Sequence, residues 1–376
     1  MQQRVVVVLP TYNEAENIVA MLSALTSVRA ELADHDLHVL VVDDNSPDGT
    51  SDIVKDFQEK RPFIHLLNGK KEGLGRAYVR GFRHALRRLK AEIVIQMDAD
   101  FSHDPLRIPQ LVAGIDNGAD YVIGSRYVAK GTIPGDWPLT RILMSRVANF
   151  VSHKVGGLNE DVADTTGGYK AIRAAALKKV DLDAVGASGY VFQVVLLQSF
   201  MEAGFTIKEV PINFVDRTAG QSKVRTADIV EFFKVSYGLN PHSPFRQLLR
   251  FMLVGASGII VNLVVLYLFN QTKLFPVIVS SMIATEASVL NNFLLNNFFT
   301  FKQQSFSTPK ELLRGLATYH LAVAAGFALT ISTFALLHTN AGVHYLVAQL
   351  AGVVLSFMAN YWISRKYVWS KARVTA

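Results

Sequence analysis

Two aspartates one residue apart, Asp98-Ala99-Asp100, close a short apolar run from Glu92 to Met97. Carboxylates two positions apart at the end of a strand point the same way. Such a pair suits a hard divalent cation, because Mg²⁺ usually takes one or two carboxylates and completes its shell with phosphate oxygens. Asp98, Asp100 and the nearby Ser102 are therefore candidate metal ligands, whereas His103 is left as a turn residue. A D-x-D is common on its own. What strengthens this one is a second acid cluster, Asp43-Asp44 in DDNSPDGT, at the end of another apolar run. Gly73-Leu74-Gly75 follows Lys70 and Lys71 and could approach phosphate, but glycines before a helix are ordinary turn chemistry. No G-x-G-x-x-G is present, so a dinucleotide site is not expected.

The elements that must carry these acids read clearly over the first hundred residues. Short apolar runs, β-branched in the first, predict strands at Arg4–Leu9, Leu37–Val42, Phe63–Leu67 and Glu92–Met97. Helical stretches are expected at about 14–30, 50–60 and 73–90. Alternating strands and helices imply an α/β, doubly wound, mostly parallel sheet. Ligands of such sheets bind beyond the carboxyl ends of the strands. PTYNE, DDNSPDGT and DAD all fall at those ends.

The 376-residue chain changes character near residue 245. Beyond it, apolar segments at about 251–270, 275–299, 315–337 and 343–364 are each long enough for a hydrocarbon core, which needs roughly 20 helical residues. Positive charges (Arg246, Arg250, Lys302, Lys310, Arg314, Arg365, Lys366, Lys371, Arg373) gather on the side of the first domain, and the other side has Lys273. That asymmetry predicts a multi-pass cell-membrane protein with the first domain and both termini cytoplasmic. The apolar run at the N-terminus is too short for a signal-peptide core. A net charge of +7 suits an anionic partner, and much of it is explained by topology. Cysteine is absent, which excludes disulfides and Cys-ligated metals.

Segments 2 and 4 both fit N-[FY]-x-[LI]-[NS]-x-x-[FY]-x-[FW], starting at Asn292 and Asn360, as duplicated hairpins would. Glu286 falls near the middle of segment 2. An intramembrane carboxylate is a functional candidate by default; the preferred reading is a packing residue hydrogen-bonded near His320.

The series PTYNE, VVDDNSPDGT, KKEGLGRAYVRGF, MDADFSHDP, GSRY and DTTGGYKA resembles the dolichyl-phosphate (polyprenyl-phosphate) mannose synthases, inverting transferases of glycosyltransferase family 2 with the GT-A fold. Residues 246–370 resemble the small four-helix GtrA-like membrane proteins. The resemblance implies a GT-A domain over 1–225, amphipathic interface helices over 226–245 and a transmembrane domain over 246–376. It implies donor contacts from Pro10, Tyr12, Glu14 and Val41, with Asp43 or Asp44 on the base. Asp98, Ala99 and Asp100 would hold metal and diphosphate, and Arg126 would reach the phosphates. Arg217 and Lys223 would belong to a mobile loop over the donor diphosphate. Asp100, Arg126 and Arg217 are the candidate catalytic residues. Ser102 stands where relatives often have Gln, and Val195 where many have an acid, so Val195 is given no role.

For the lipid phosphate, Arg126 is joined by Arg141 and Ser145, which are i, i+4 on one helix face. Leu143, Val147, Phe150 and Val151 offer apolar surface nearby, and Ile229, Phe232, Phe233 and Ser236 form a second amphipathic stretch. Trp137 is either interfacial or packed under its loop. The implied partners are GDP-mannose, dolichyl or polyprenyl phosphate and the lipid bilayer, with Mg²⁺ or Mn²⁺ as cofactor and no nucleic acid. Alternatives are a polyprenyl-phosphate glucosyl or other transferase using a UDP-sugar, a processive polysaccharide synthase suggested by the near Q-x-x-R-W match Gln247-LLR-Phe251, and a lipid-carrier translocase or binding protein with a vestigial catalytic domain.

Overall fold

The structure, a computed structural model, describes residues 2–185, 191–215, 226–240 and 243–370. The chain forms two compact units, Met1–Pro241 and His242–Ala376.

The first unit is built on seven strands: β1 (Gln3–Thr11), β2 (His35–Asp43), β3 (Ile64–Asn68), β4 (Ile93–Gln96), β5 (Tyr121–Ser125), β6 (Lys170–Arg173) and β7 (Ile207–Pro211). They lie in the order β3-β2-β1-β4-β6-β5-β7. β6 runs antiparallel to both its neighbours, and every other pairing is parallel. The Val5–Leu9 run is wholly buried because β1 is central and covered on both faces. The helices are α1 (Ala15–Glu31), α2 (Thr50–Lys60), α3 (Leu74–Arg87), α4 (Ile108–Asp116), α5 (Leu139–Lys154), the one-turn α6 (Ala174–Leu177), α7 (Val191–Glu202) and α8 (Thr226–Leu239). α3 lies close on the sheet: a Cβ on Gly81 would stand 2.4 Å from Val8 Cγ1 and 2.9 Å from Val42 Cγ2. That approach seats the buried Tyr78 of α3 beneath the β4 terminus.

The second unit contains α9 (Pro244–Thr272), α10 (Val277–Leu295), α11 (Pro309–Phe334) and α12 (Tyr345–Ile363). With their terminal turns, these are four helices long and apolar enough to cross a membrane. α9 and α11 begin earlier than the apolar segments because each opens on a proline at its first turn, and Thr308 adds a capping box with Glu311. α9 packs along α10, and α11 along α12.

The two hairpins repeat in detail. α10 and α12 both end in a wide turn, with Phe301 N donating to Asn296 O and Trp369 N to Ser364 O, each at 2.8 Å. Phe301 and Trp369, equivalent in the repeat, stack at 4.5 Å with planes 7° apart. Two further equivalent ring pairs match, Phe251–Tyr361 at 5.4 Å and Tyr319–Phe293 at 5.8 Å. Contacts of the same kind at equivalent positions describe a pseudo-twofold arrangement, the structural counterpart of the duplicated sequence pattern.

Candidate active site

Register brings the first two acid-bearing loops together. Thr11 and Asp43 end paired strands, and β4 lies on the other side of β1. The DDNSPDGT turn is then tied to PTYNE: Ala15 N donates to Asp48 Oδ2 at 2.9 Å, Asn13 N to Ser46 Oγ at 3.0 Å and Glu14 N to Thr50 Oγ1 at 3.1 Å. Asp43 is fully buried. Its carboxylate accepts from Thr11 Oγ1 and Ser51 Oγ at 2.8 Å, and from Ser46 N and Oγ at 2.8 and 2.6 Å. Four donors explain how a carboxylate is tolerated there; its visible work is to shape the turn. The neighbouring Asp44 pairs with Arg80. Burial raises its pKa above the ordinary carboxylate value despite that partner.

Around this turn, Pro10, Tyr12 and Glu14 are half-buried. Lys71 Nζ lies 3.4 Å from the Tyr12 ring centroid. The side chain of Val41, expected to touch the donor, lies wholly in the hydrophobic core.

Strand pairing of β4 stops at Gln96, so Asp98 and Asp100 are placed by a turn and not by strand alternation. Tyr78 OH donates to Asp98 Oδ1 at 2.7 Å, and Asp98 N donates to His103 Nδ1 at 3.0 Å. Asp100 Oδ1 accepts from Ser102 N at 3.1 Å and from Ser102 Oγ at 2.6 Å. Ser102 thus buttresses Asp100. Among the described residues no group of three or more His, Cys, Asp or Glu side chains could hold a metal. Two carboxylates without a third protein ligand still fit a cation that completes its shell with a bound diphosphate.

The residues expected at the acceptor side come together through aromatic rings. Arg126 lies 5.5 Å from the Phe214 ring, Phe214 packs edge-on to Trp137 at 5.6 Å, and Arg141 lies 4.0 Å over Trp137. Trp137 is buried, which settles its place under the loop. Phe214 also meets His103 at 6.1 Å, linking this cluster to the D-x-D turn. Ser145 Oγ lies 2.6 Å from Tyr127 OH.

Arg126 is engaged by Asp164, a partner the sequence reading did not assign. Its Nε and Nη2 donate to the two Asp164 oxygens at 2.7 Å, and its backbone N donates at 3.1 Å. Burial opposes both charges; the Asp164 carboxylate nevertheless lifts the Arg126 pKa, and Arg126 lowers that of Asp164. Also unanticipated is Lys170, fully buried, whose Nζ donates to Gln193 Oε1 at 2.6 Å and to Gln193 O at 3.3 Å. Burial pushes its pKa down to about 7. The only advance signal for either residue was its presence in DTTGGYKA. Arg217 and Lys223 lie outside the described residues.

Two families of known proteins match the chain. Residues 6–181 match Glycosyl transferase family 2, and residues 250–369 match GtrA/DPMS, transmembrane domain. The chain is 32% identical to the dolichol-phosphate mannosyltransferase of Pyrococcus furiosus, over 98% of this chain and 99% of that protein. It is 41% identical to the polyprenol monophosphomannose synthase of Mycolicibacterium smegmatis, over 62% of this chain and 86% of that protein. The solved glucosyl-3-phosphoglycerate synthase of Mycobacterium tuberculosis, in complex with Mn²⁺ and UDP-glucose, aligns at 18% identity and a TM-score of 0.45, over 64% of this chain and 81% of that one. The chain belongs to the dolichyl- and polyprenyl-phosphate mannose synthases, as a glycosyltransferase family 2 domain followed by a GtrA/DPMS transmembrane domain.

Proposed function

We propose that the protein transfers mannose from GDP-mannose to dolichyl or another polyprenyl phosphate, with inversion, on the cytoplasmic face of a membrane. The observation that carries this reading is the ring cluster joining Arg126 and Arg141 to the D-x-D turn through Phe214 and His103. It supports pairing cationic side chains for an acceptor phosphate with acids suited to a donor diphosphate. The names of the relatives supply the sugar and the lipid.

The acceptor phosphate oxygen forms a bond to the anomeric carbon as the bond from that carbon to the diphosphate breaks. A phosphate monoester has its second pKa at about 6 and is largely dianionic near neutral pH, so no general base is needed. Two anions must instead be brought together. Arg126, held in plane by Asp164, and Arg141, steadied on Trp137, offset the acceptor charge, and Ser145 is the hydroxyl candidate on the same helix. Asp98 and Asp100 would hold Mg²⁺ or Mn²⁺, which when bound supplies charge stabilisation for the leaving diphosphate. Arg217 and Lys223 are assigned to the same leaving group. Asp43 acts through the shape of its turn, and Pro10, Tyr12, Glu14 and Asp44 line the nucleotide side.

Asp100→Ala is expected to lower transfer by at least a hundredfold, measured as sugar moved to lipid by purified protein. Near-normal transfer would remove the metal assignment.

A further inference from the structure

The two hairpins of the membrane unit differ at a hydrogen-bonded acid and imidazole. His320 Nε2 on α11 lies 3.1 and 3.2 Å from the two carboxylate oxygens of Glu286 on α10, and its Nδ1 lies 2.9 Å from the Leu316 carbonyl oxygen. The sequence spacing that relates Phe301 to Trp369 relates Glu286 to Val354 and His320 to Met252. These counterparts are apolar and about as exposed, at 51% and 47%. The repeat is therefore built at that position without an acid or an imidazole. Glu286 is the only acid of the four spans away from their ends. It is not covered: the Glu286 and His320 side chains are 52% and 39% exposed. In a lone chain this surface faces hydrocarbon, where ionisable groups are costly and mark function.

We propose that this face docks a second copy of the chain within the bilayer. The acid and the imidazole sit side by side, so a twofold rotation sets each acid against the partner's imidazole. Such a patch is self-complementary, as an isologous interface demands. Polar groups bonded across helices, and small residues that let backbones approach, are the usual means of association in membranes. Ala317 and Ala324 supply the latter: both are exposed, three residues before His320 and four after it, on its side of α11.

The chain has no native cysteine, so single cysteines report contacts cleanly. Met282→Cys, exposed one turn from Glu286, should form a cross-linked dimer in native membranes under mild oxidant. Leu350→Cys, the counterpart on the opposite side, should give at least tenfold less. Adding Glu286→Val with His320→Met, the residues the other hairpin uses, should abolish the Met282→Cys dimer while leaving the circular dichroism and Tm of the protein in detergent unchanged. Three results would overturn the proposal: a Met282→Cys chain that stays monomeric, equal cross-linking at Leu350→Cys, or a Met282→Cys dimer that survives the double exchange. The first two need no change to the polar pair, so they decide the matter even if the double variant misfolds.

Discussion

Arg126 and Asp164 show most clearly how one residue's work depends on another's. Asp164 is fully buried and its principal cationic partner is Arg126. Removing one member of a buried pair strands the other charge at a cost of about 3–5 kcal/mol. Asp164→Ala should therefore lower the unfolding free energy of the catalytic unit by about that amount in denaturant titrations of the whole protein. Lys170 makes a prediction in pH. Its folded pKa is about 7 against an ordinary 10.5, so between those values the unfolded chain binds the additional proton. Stability then gains up to about 1.4 kcal/mol per pH unit from this group as pH rises through the window. Lys170→Met should flatten that slope when unfolding midpoints are compared from pH 7 to 10. Neither residue's role is legible in the sequence, although both lie in DTTGGYKA. Asp164 meets Arg126 from 38 positions away, and Lys170 meets Gln193 from 23, distances that only the fold closes. The four-donor environment of Asp43 was hidden for the same reason.

At the level of elements, the sequence was most legible where periodicity was strongest. β1 and β2 are Val-rich apolar runs, and they, with β3 and β4, fall within a few residues of expectation. β5 to β7 carry mixed runs, YVIGS, KAIR and IKEVP, and the antiparallel insertion of β6 follows from tertiary pairing that no local pattern encodes. α5 tests the membrane reading of the first unit. Leu139, Leu143, Met144, Val147 and Phe150 are exposed along it, whereas Val151, expected on the same apolar face, is buried. An exposed apolar face on an amphipathic helix suits insertion at a lipid interface. α8 is mixed, with Phe232 and Ser236 buried and Val230 and Phe233 exposed. Leu143→Lys with Phe150→Lys should raise the KM for a long-chain polyprenyl phosphate in bilayers about tenfold. A short, water-soluble acceptor should be used as before. Equal use of both acceptors by the variant and the parent would argue against an interfacial α5.

Across the whole molecule, the change of composition near residue 245 corresponds to two units and two family matches. The apolar lengths foretold four spans, but α9 and α11 begin, each on a proline, before the apolar residues that first define them. The proposed function joins the units by assigning the acids and arginines of the first to donor and acceptor phosphates, and the helices of the second to the bilayer in which the acceptor resides. The most direct test supplies the purified protein with polyprenyl phosphate and Mg²⁺ or Mn²⁺, offers GDP-mannose or UDP-glucose, and identifies the lipid product by mass and anomeric configuration. The expected result is one mannose per lipid phosphate, with configuration inverted relative to the donor and little transfer from UDP-glucose. Transfer from UDP-glucose alone, more than one sugar per lipid, or retained configuration would contradict it.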